Sequence, residues 1–261
     1  MYYSGQYLPW YYLPKIILIT SPILYISLFA FGSILIFKFL VSNLINLQDS
    51  SKNIWDNKEE LFCTYSMIIV YFTVGIIIEL NSTLYNGWRQ VFFIYPSIIF
   101  ICMYSFNRLL GFRKIRKFVL TIFIILSLLI VKWNYKNHPY QYVYYNELIN
   151  DKIIKNYELD YWGVSNLEIL NKILEISKDK QAKIFNYSNS PYEKSLNMIK
   201  KKQRNKLSFT NKIDDAEYIV TNHMYQSKKP GIKDTNLIND FKLVYEINSN
   251  TLIDTFLRLL Q

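Results

Sequence analysis

The stretch NSTLYNGWRQVFFIYP, Asn81–Pro96, decides how this chain is read. It is a short polar turn carrying Trp88 and the single charge Arg89, held between two apolar runs long enough to cross a bilayer. Working outward, the run before it covers about 61–80 and ends at Glu79, and the run after it covers about 91–106 with Pro96 inside. Two more apolar runs flank these, at about 16–37 and 118–133, so four transmembrane helices are expected over residues 1–133. Pro22 and Gly32 fall inside the first run, where a membrane helix tolerates them.

The loop NRLLGFRKIRK, 107–117, holds Arg108, Arg113, Lys114, Arg116 and Lys117 and no acid. Short loops rich in Lys and Arg stay cytoplasmic, so this loop fixes the orientation. Alternation then puts the polar loop from Val41 to Glu60 inside as well. The aromatic opening segment, the Asn81–Gln90 turn and everything after about Asn134 fall outside. The chain is therefore read as an α-helical membrane domain, 1–133, followed by a small extracytoplasmic α/β domain, 134–261. Within that domain Ser165–Lys178 is expected as a helix with Leu167, Leu170 and Leu174 on one face, Ser165 as its N-cap and Glu168 completing a capping box. AKIFNYS, AEYIVTN and KLVYEIN are expected strands, Pro191–Lys202 a basic helix and Leu252–Leu260 a closing helix.

Composition agrees with a chain that is half membrane and half lysine-rich domain: 51% apolar, 17% aromatic, net charge +10 and a mean hydropathy of only +0.05. A basic balance of this size points to nucleic acid or to a membrane surface. No nucleic-acid-binding module is legible, so membrane lipid is the expected partner. The two cysteines, Cys63 and Cys102, lack any metal spacing and read as membrane-core residues.

Several residues could carry chemistry. Arg89 offers a permanently charged fork that matches two phosphate oxygens, with Trp88 beside it to set depth or stack on a sugar or isoprenoid. An ordinary snorkelling arginine beside an interfacial tryptophan reads the same way. Glu79 is either solvated or paired with Arg89 or a metal; a divalent cation is the one cofactor for which the sequence leaves room. His138 with Asp160 could supply a general base, although a histidine before proline is commonly a turn residue. His223 reads as structural. Tyr140, Tyr142, Tyr144 and Tyr145, with Gln141 and Asn146, could bind a sugar or form an interfacial belt.

YNGWRQVFFIYP (Tyr85–Pro96), HPYQYVYYNEL (His138–Leu148) and DYWGVS (Asp160–Ser165), in that order, resemble the C-terminal half of bacterial GT-C membrane glycosyltransferases. That class includes the protein O-mannosyltransferases and the lipid A aminoarabinose transferase. The opening GQYLPWYYLP resembles the segment before a late helix of such proteins, and the likeness covers roughly residues 4–175. It implies transfer of a sugar from a polyprenyl-phosphate carrier to an acceptor on the outer face of the inner membrane. It also implies that Arg89 lies near the carrier phosphate; Trp88 beside it, and Tyr85, His138, Tyr140, Gln141, Tyr142, Asp160 and Trp162 as candidate sugar or acceptor contacts, complete the expected site. The family's catalytic acid belongs to a first outer loop, whereas Met1–Pro14 contains no acid. The expectation is thus a C-terminal fragment, inactive alone, from a truncated gene, a split gene (with the N-terminal half as a separate partner chain) or a partial sequence, with the acid on the missing half. The alternative is a non-catalytic four-span protein whose outer domain binds a partner in envelope assembly.

Overall fold

Proline breaks the first apolar run. The computed structural model describes residues 8–45, 54–55, 57–84, 87–149, 160–178, 180–188, 190–222, 241–248 and 252–259. In it the expected first span becomes a short helix α1 (Tyr12–Thr20), an extended Ser21 (φ −106°, ψ 144°) and a long helix α2 (Ile23–Ile45). The physical reason is that Pro22 lacks the N–H that would bond the Leu18 carbonyl and clashes with a continuing helix. Three more long helices follow: α3 (Lys58–Glu79), a 3₁₀ turn Arg89–Ile94 running into α4 (Tyr95–Gly111), and α5 (Arg116–Lys136). Four helices, Ile23–Ile45, Lys58–Glu79, Arg89–Gly111 and Arg116–Lys136, are long and apolar enough to cross a membrane. The chain folds as two compact units, Met1–Lys136 with Tyr144–Ile149, and Asn137–Val143 with Asn150–Gln261.

Small residues bring α2 against α4. A Cβ on Gly32 would lie 2.7 Å from the Ile101 carbonyl oxygen and 3.1 Å from the Ser105 Cβ. Close backbone approach of this kind is how helices associate where lipid removes the hydrophobic drive. Ile36, Cys63, Ile101 and Tyr104 form the buried centre of α2, α3 and α4, and both cysteines are free thiols there. Phe29 stacks on Tyr71 and Phe106 meets Phe123 at a tilt, which ties α3 to α2 and α5 to α4. None of the residues of α5 is buried, and α3 turns Phe62, Tyr65, Ile68 and Phe72 outward, as surfaces meant for acyl chains do. Gly32→Ala is expected to lower the thermal midpoint of the detergent-solubilised chain by the equivalent of about 1–3 kcal/mol, the usual cost of overpacking. An equal substitution at Gly75 in α3, where an added Cβ meets nothing within 4 Å, should not lower the midpoint and, by helix propensity, should raise it slightly.

The second unit is α/β. Helix α6 (Ser165–Ser177) precedes strand β1 (Ala182–Asn186). The expected basic helix over Pro191–Lys202 is instead broken into α7 (Tyr192–Ser195), a 3₁₀ turn Leu196–Met198 and α8 (Lys201–Arg204). Strand β2 (Leu207–Thr210), which the sequence reading missed, follows, then β3 (Tyr218–Thr221), β4 (Phe241–Asn248) and β5 (Leu252–Leu259). The sheet order is β2-β1-β3-β5-β4; β1 is parallel to both β2 and β3, and β5 is antiparallel to β3 and β4. The expected closing helix is thus a strand. Leucines at 252, 257 and 259 suit either state, and backbone pairing with β3 on one side and β4 on the other decides it.

The buried face of α6 is Ile169, Leu170 and Ile173, each 0% exposed, so the core stripe lies rotated from the expected leucines; Leu167 and Leu174 are half-buried.

Candidate functional site

Two constellations result, one in each unit. In the helical unit, α3 ends with Asn81 in the left-handed region (φ 49°), while the Ser82 N–H donates to the Ile77 carbonyl at 3.0 Å. This closes the helix in the Schellman manner and starts the polar turn. Trp88 then turns inward, 7% exposed. Its indole Nε1 donates to Thr20 Oγ1 at 2.9 Å, and its ring meets Phe92 at 4.7 Å and Tyr95 at 5.8 Å. Trp88 is therefore a structural pin of the turn, with both neighbours on its ring supplied by the protein. Arg89, half-buried, starts the 3₁₀ turn immediately after the pin. Glu79, the last residue of α3, is exposed.

The same end of the unit contains a device that the sequence reading missed. Asn146 is 2% exposed, and its Nδ2 donates to the Leu18 carbonyl at 2.6 Å and to the Ser21 carbonyl at 2.7 Å. Its backbone N–H donates to the Ile19 carbonyl at 2.9 Å. Residues 22 and 23 would serve Leu18 and Ile19 in an unbroken helix, so Asn146 replaces donors lost at the proline break. Tyr144 packs edge-on against Trp133 at 4.8 Å, and burial pushes its phenol up to about 12. These contacts gather α1, the 81–94 turn and 144–149 at one end of the four helices.

In the α/β unit the DYWGVS motif builds a turn around Asp160, which is 0% exposed. Its carboxylate accepts the Val164 N–H at 3.0 Å, the Ser165 N–H at 3.1 Å, and the hydroxyls of Tyr142 and Ser165. A carboxylate at a helix N-terminus satisfies donors that the helix leaves open and complements its dipole. Asp160, rather than the expected Ser165 and Glu168 box, therefore caps α6. Gly163 takes φ +64°, and a Cβ there would lie 2.6 Å from Asn166 Nδ2. Beyond it, Ser190 Oγ donates to Asn166 Oδ1 at 2.8 Å, Asn186 Nδ2 donates to the Ser190 carbonyl at 2.7 Å, and Asn222 Nδ2 donates to the Asp160 carbonyl at 2.8 Å. This buried polar network joins the carboxyl ends of β1 and β3 to the start of α6.

The other sequence candidates fall around this turn. His138 is exposed, and its Nδ1 faces Gln141 Nε2 at 2.8 Å; the structure does not join His138 to Asp160. Tyr140 is buried and donates to Glu168, as does Tyr245 at 2.7 Å. Trp162 stands 60% exposed, edge-on to Tyr161. Tyr85 and His223 lie outside the described residues. Among the described residues no three His, Cys, Asp or Glu side chains gather as a metal site.

The hydrogen bond to Glu168 pushes the Tyr245 phenol up to about 12, with burial and the nearby acids acting in the same direction. Its ordinary value is about 10. The contribution of this contact is therefore full below about pH 10 and lost as pH rises through about 12. Tyr245→Phe should remove one late step from the phenolate absorbance titration of the folded protein, and should flatten the fall in stability over that same alkaline window.

No protein-family model, curated protein or solved structure matches the chain. What it does must therefore be argued from these two constellations.

Proposed function

We propose that this chain is the carrier-holding part of a polyprenyl-phosphate-dependent glycosyltransferase of the inner membrane, with Arg89 as the phosphate ligand. The observation that carries the reading is the fixing of Arg89 at the head of a spanning helix by the Trp88–Thr20 pin. A fork whose backbone is already ordered loses less entropy when it grips two phosphate oxygens. In this reading the α/β unit is extracytoplasmic, as the positive-inside argument has it. Asp160 is engaged as the cap of α6, so this reading gives it no part in activating the acceptor.

The alternative is a non-catalytic envelope protein whose α/β unit docks a partner. The exposed Trp162 ring favours it, since an amphipathic ring on the surface is a common interface anchor.

The discriminating experiment measures retention of a polyprenyl phosphate against the matching polyprenol by the purified full chain. The expected result is a preference for the phosphate that Arg89→Ala reduces about ten- to hundredfold, the worth of a charge-assisted hydrogen bond or two. Arg89→Lys should keep part of it, because an ammonium keeps the charge but loses the fork. Equal retention by wild type and Arg89→Ala gives the field to the partner-docking reading.

A further inference from the structure

We propose that the turn between α4 and α5 is a binding surface for anionic phospholipid headgroups. α4 closes at Gly111, and the chain reverses through Phe112 N–H to Leu109 carbonyl (3.2 Å), Ile115 N–H to Phe112 carbonyl (3.1 Å) and Arg116 N–H to Phe112 carbonyl (3.0 Å). Helix α5 begins at Arg116, so the reversal holds its cations within a few residues of two span ends. That is the depth of the headgroups.

Arg113, Lys114, Arg116 and Lys117 are all exposed, and none of them is in an ion pair among the described residues. The stretch 107–118 contains no acid. Arg108 is set apart: its guanidinium lies 4.9 Å from the Tyr104 ring centre, and Glu59 and Glu60 act on it.

The apolar residues of the turn point to lipid rather than a soluble anion. Phe112, Ile115 and Phe118 are 59%, 41% and 67% exposed and interleave with the four cations. Rings and aliphatic chains at that spacing enter the acyl boundary while lysine and arginine stems reach the phosphates. Juxtamembrane cations of this kind attract acidic lipids with about 1 kcal/mol each, or roughly fivefold in association. The surface is separate from Arg89, because Arg89 and Gly111 are opposite ends of one spanning helix.

The test reconstitutes the full chain in phosphatidylcholine vesicles and compares the motion-restricted fractions of spin-labelled phosphatidylglycerol and phosphatidylcholine. Wild type is expected to prefer phosphatidylglycerol, and the preference should fall as salt shortens the screening length from about 14 Å at ~0.05 M to about 4 Å at ~0.5 M. R113Q/K114Q/R116Q/K117Q should lose at least tenfold of it. K200Q/K201Q/K202Q/R204Q, an equal neutralisation in the α/β unit, and Arg89→Ala should both keep it. Removing basic residues can also invert insertion, so R113K/R116K, which preserves charge, must retain the preference. The proposal is overturned if wild type shows no preference, if the preference ignores salt, or if the quadruple glutamine variant of the turn keeps it in full.

Discussion

Asp160→Ala unfolds the α/β unit. The substitution removes a buried acceptor that serves two backbone N–H groups and two hydroxyls at the start of α6. The Ser165 donors are buried and have no water to turn to. Unsatisfied buried donors cost about 1–3 kcal/mol each, so a total loss of about 3–5 kcal/mol is expected, a large share of a small domain's stability. Hydrogen exchange read segment by segment should show β1, β3 and α6 losing protection while α2, α3 and α4 keep theirs. Asp160→Asn, which keeps one acceptor oxygen, should lose about half as much. A general base would behave differently: Asp160→Asn would fold normally and abolish turnover, and that outcome would falsify the capping role.

The second large effect is expected at the proline break. Asn146→Ala withdraws the Nδ2 that serves the Leu18 and Ser21 carbonyls, at an expected cost of about 2–4 kcal/mol to the helical unit. The measurement is the thermal midpoint in detergent, followed through tryptophan fluorescence in a background where Trp88, pinned to Thr20 at the end of α1, is the one tryptophan kept. A double-mutant cycle isolates the mechanism. Pro22→Ala returns an N–H at the position that would serve Leu18, so Asn146 should matter less in that background. Strict additivity of the two substitutions would show that Asn146 does not stand in for the missing donor.

Both effects bear on the readings proposed for the chain. HPYQYVYYNEL and DYWGVS looked like surfaces for a sugar, and the structure assigns much of each to the fold. Tyr142 serves Asp160, Tyr140 serves Glu168, Asn146 serves the end of α1, and Gly163 supplies a turn in which a Cβ would collide with Asn166. Trp88, read as an interfacial anchor, is a buried pin. Among the other candidates, His138 and Trp162 are exposed in the α/β unit, and Arg89 is half-buried in the helical unit.

Legible in the sequence alone were the four membrane-length helices and strands β1, β3 and β4. Each of these is set by local composition: apolar runs of bilayer length, or short β-branched and aromatic runs bounded by polar residues. Tertiary structure alone decided the remainder, because each case turns on a partner far away in the chain. Pro22 could have kinked a continuous span, and it became a break once Asn146, more than a hundred residues later, supplied the donors for the freed carbonyls. LIDTFLRL could have coiled, and it is a strand because β3 and β4 each offer it a ladder. Ser165 carries the residue type of a cap, yet the capping carboxylate comes from Asp160, which a left-handed Gly163 folds back over the helix start. A hydrogen bond is chosen by what is within reach in three dimensions, and spacing along the chain states only which donors and acceptors are on offer.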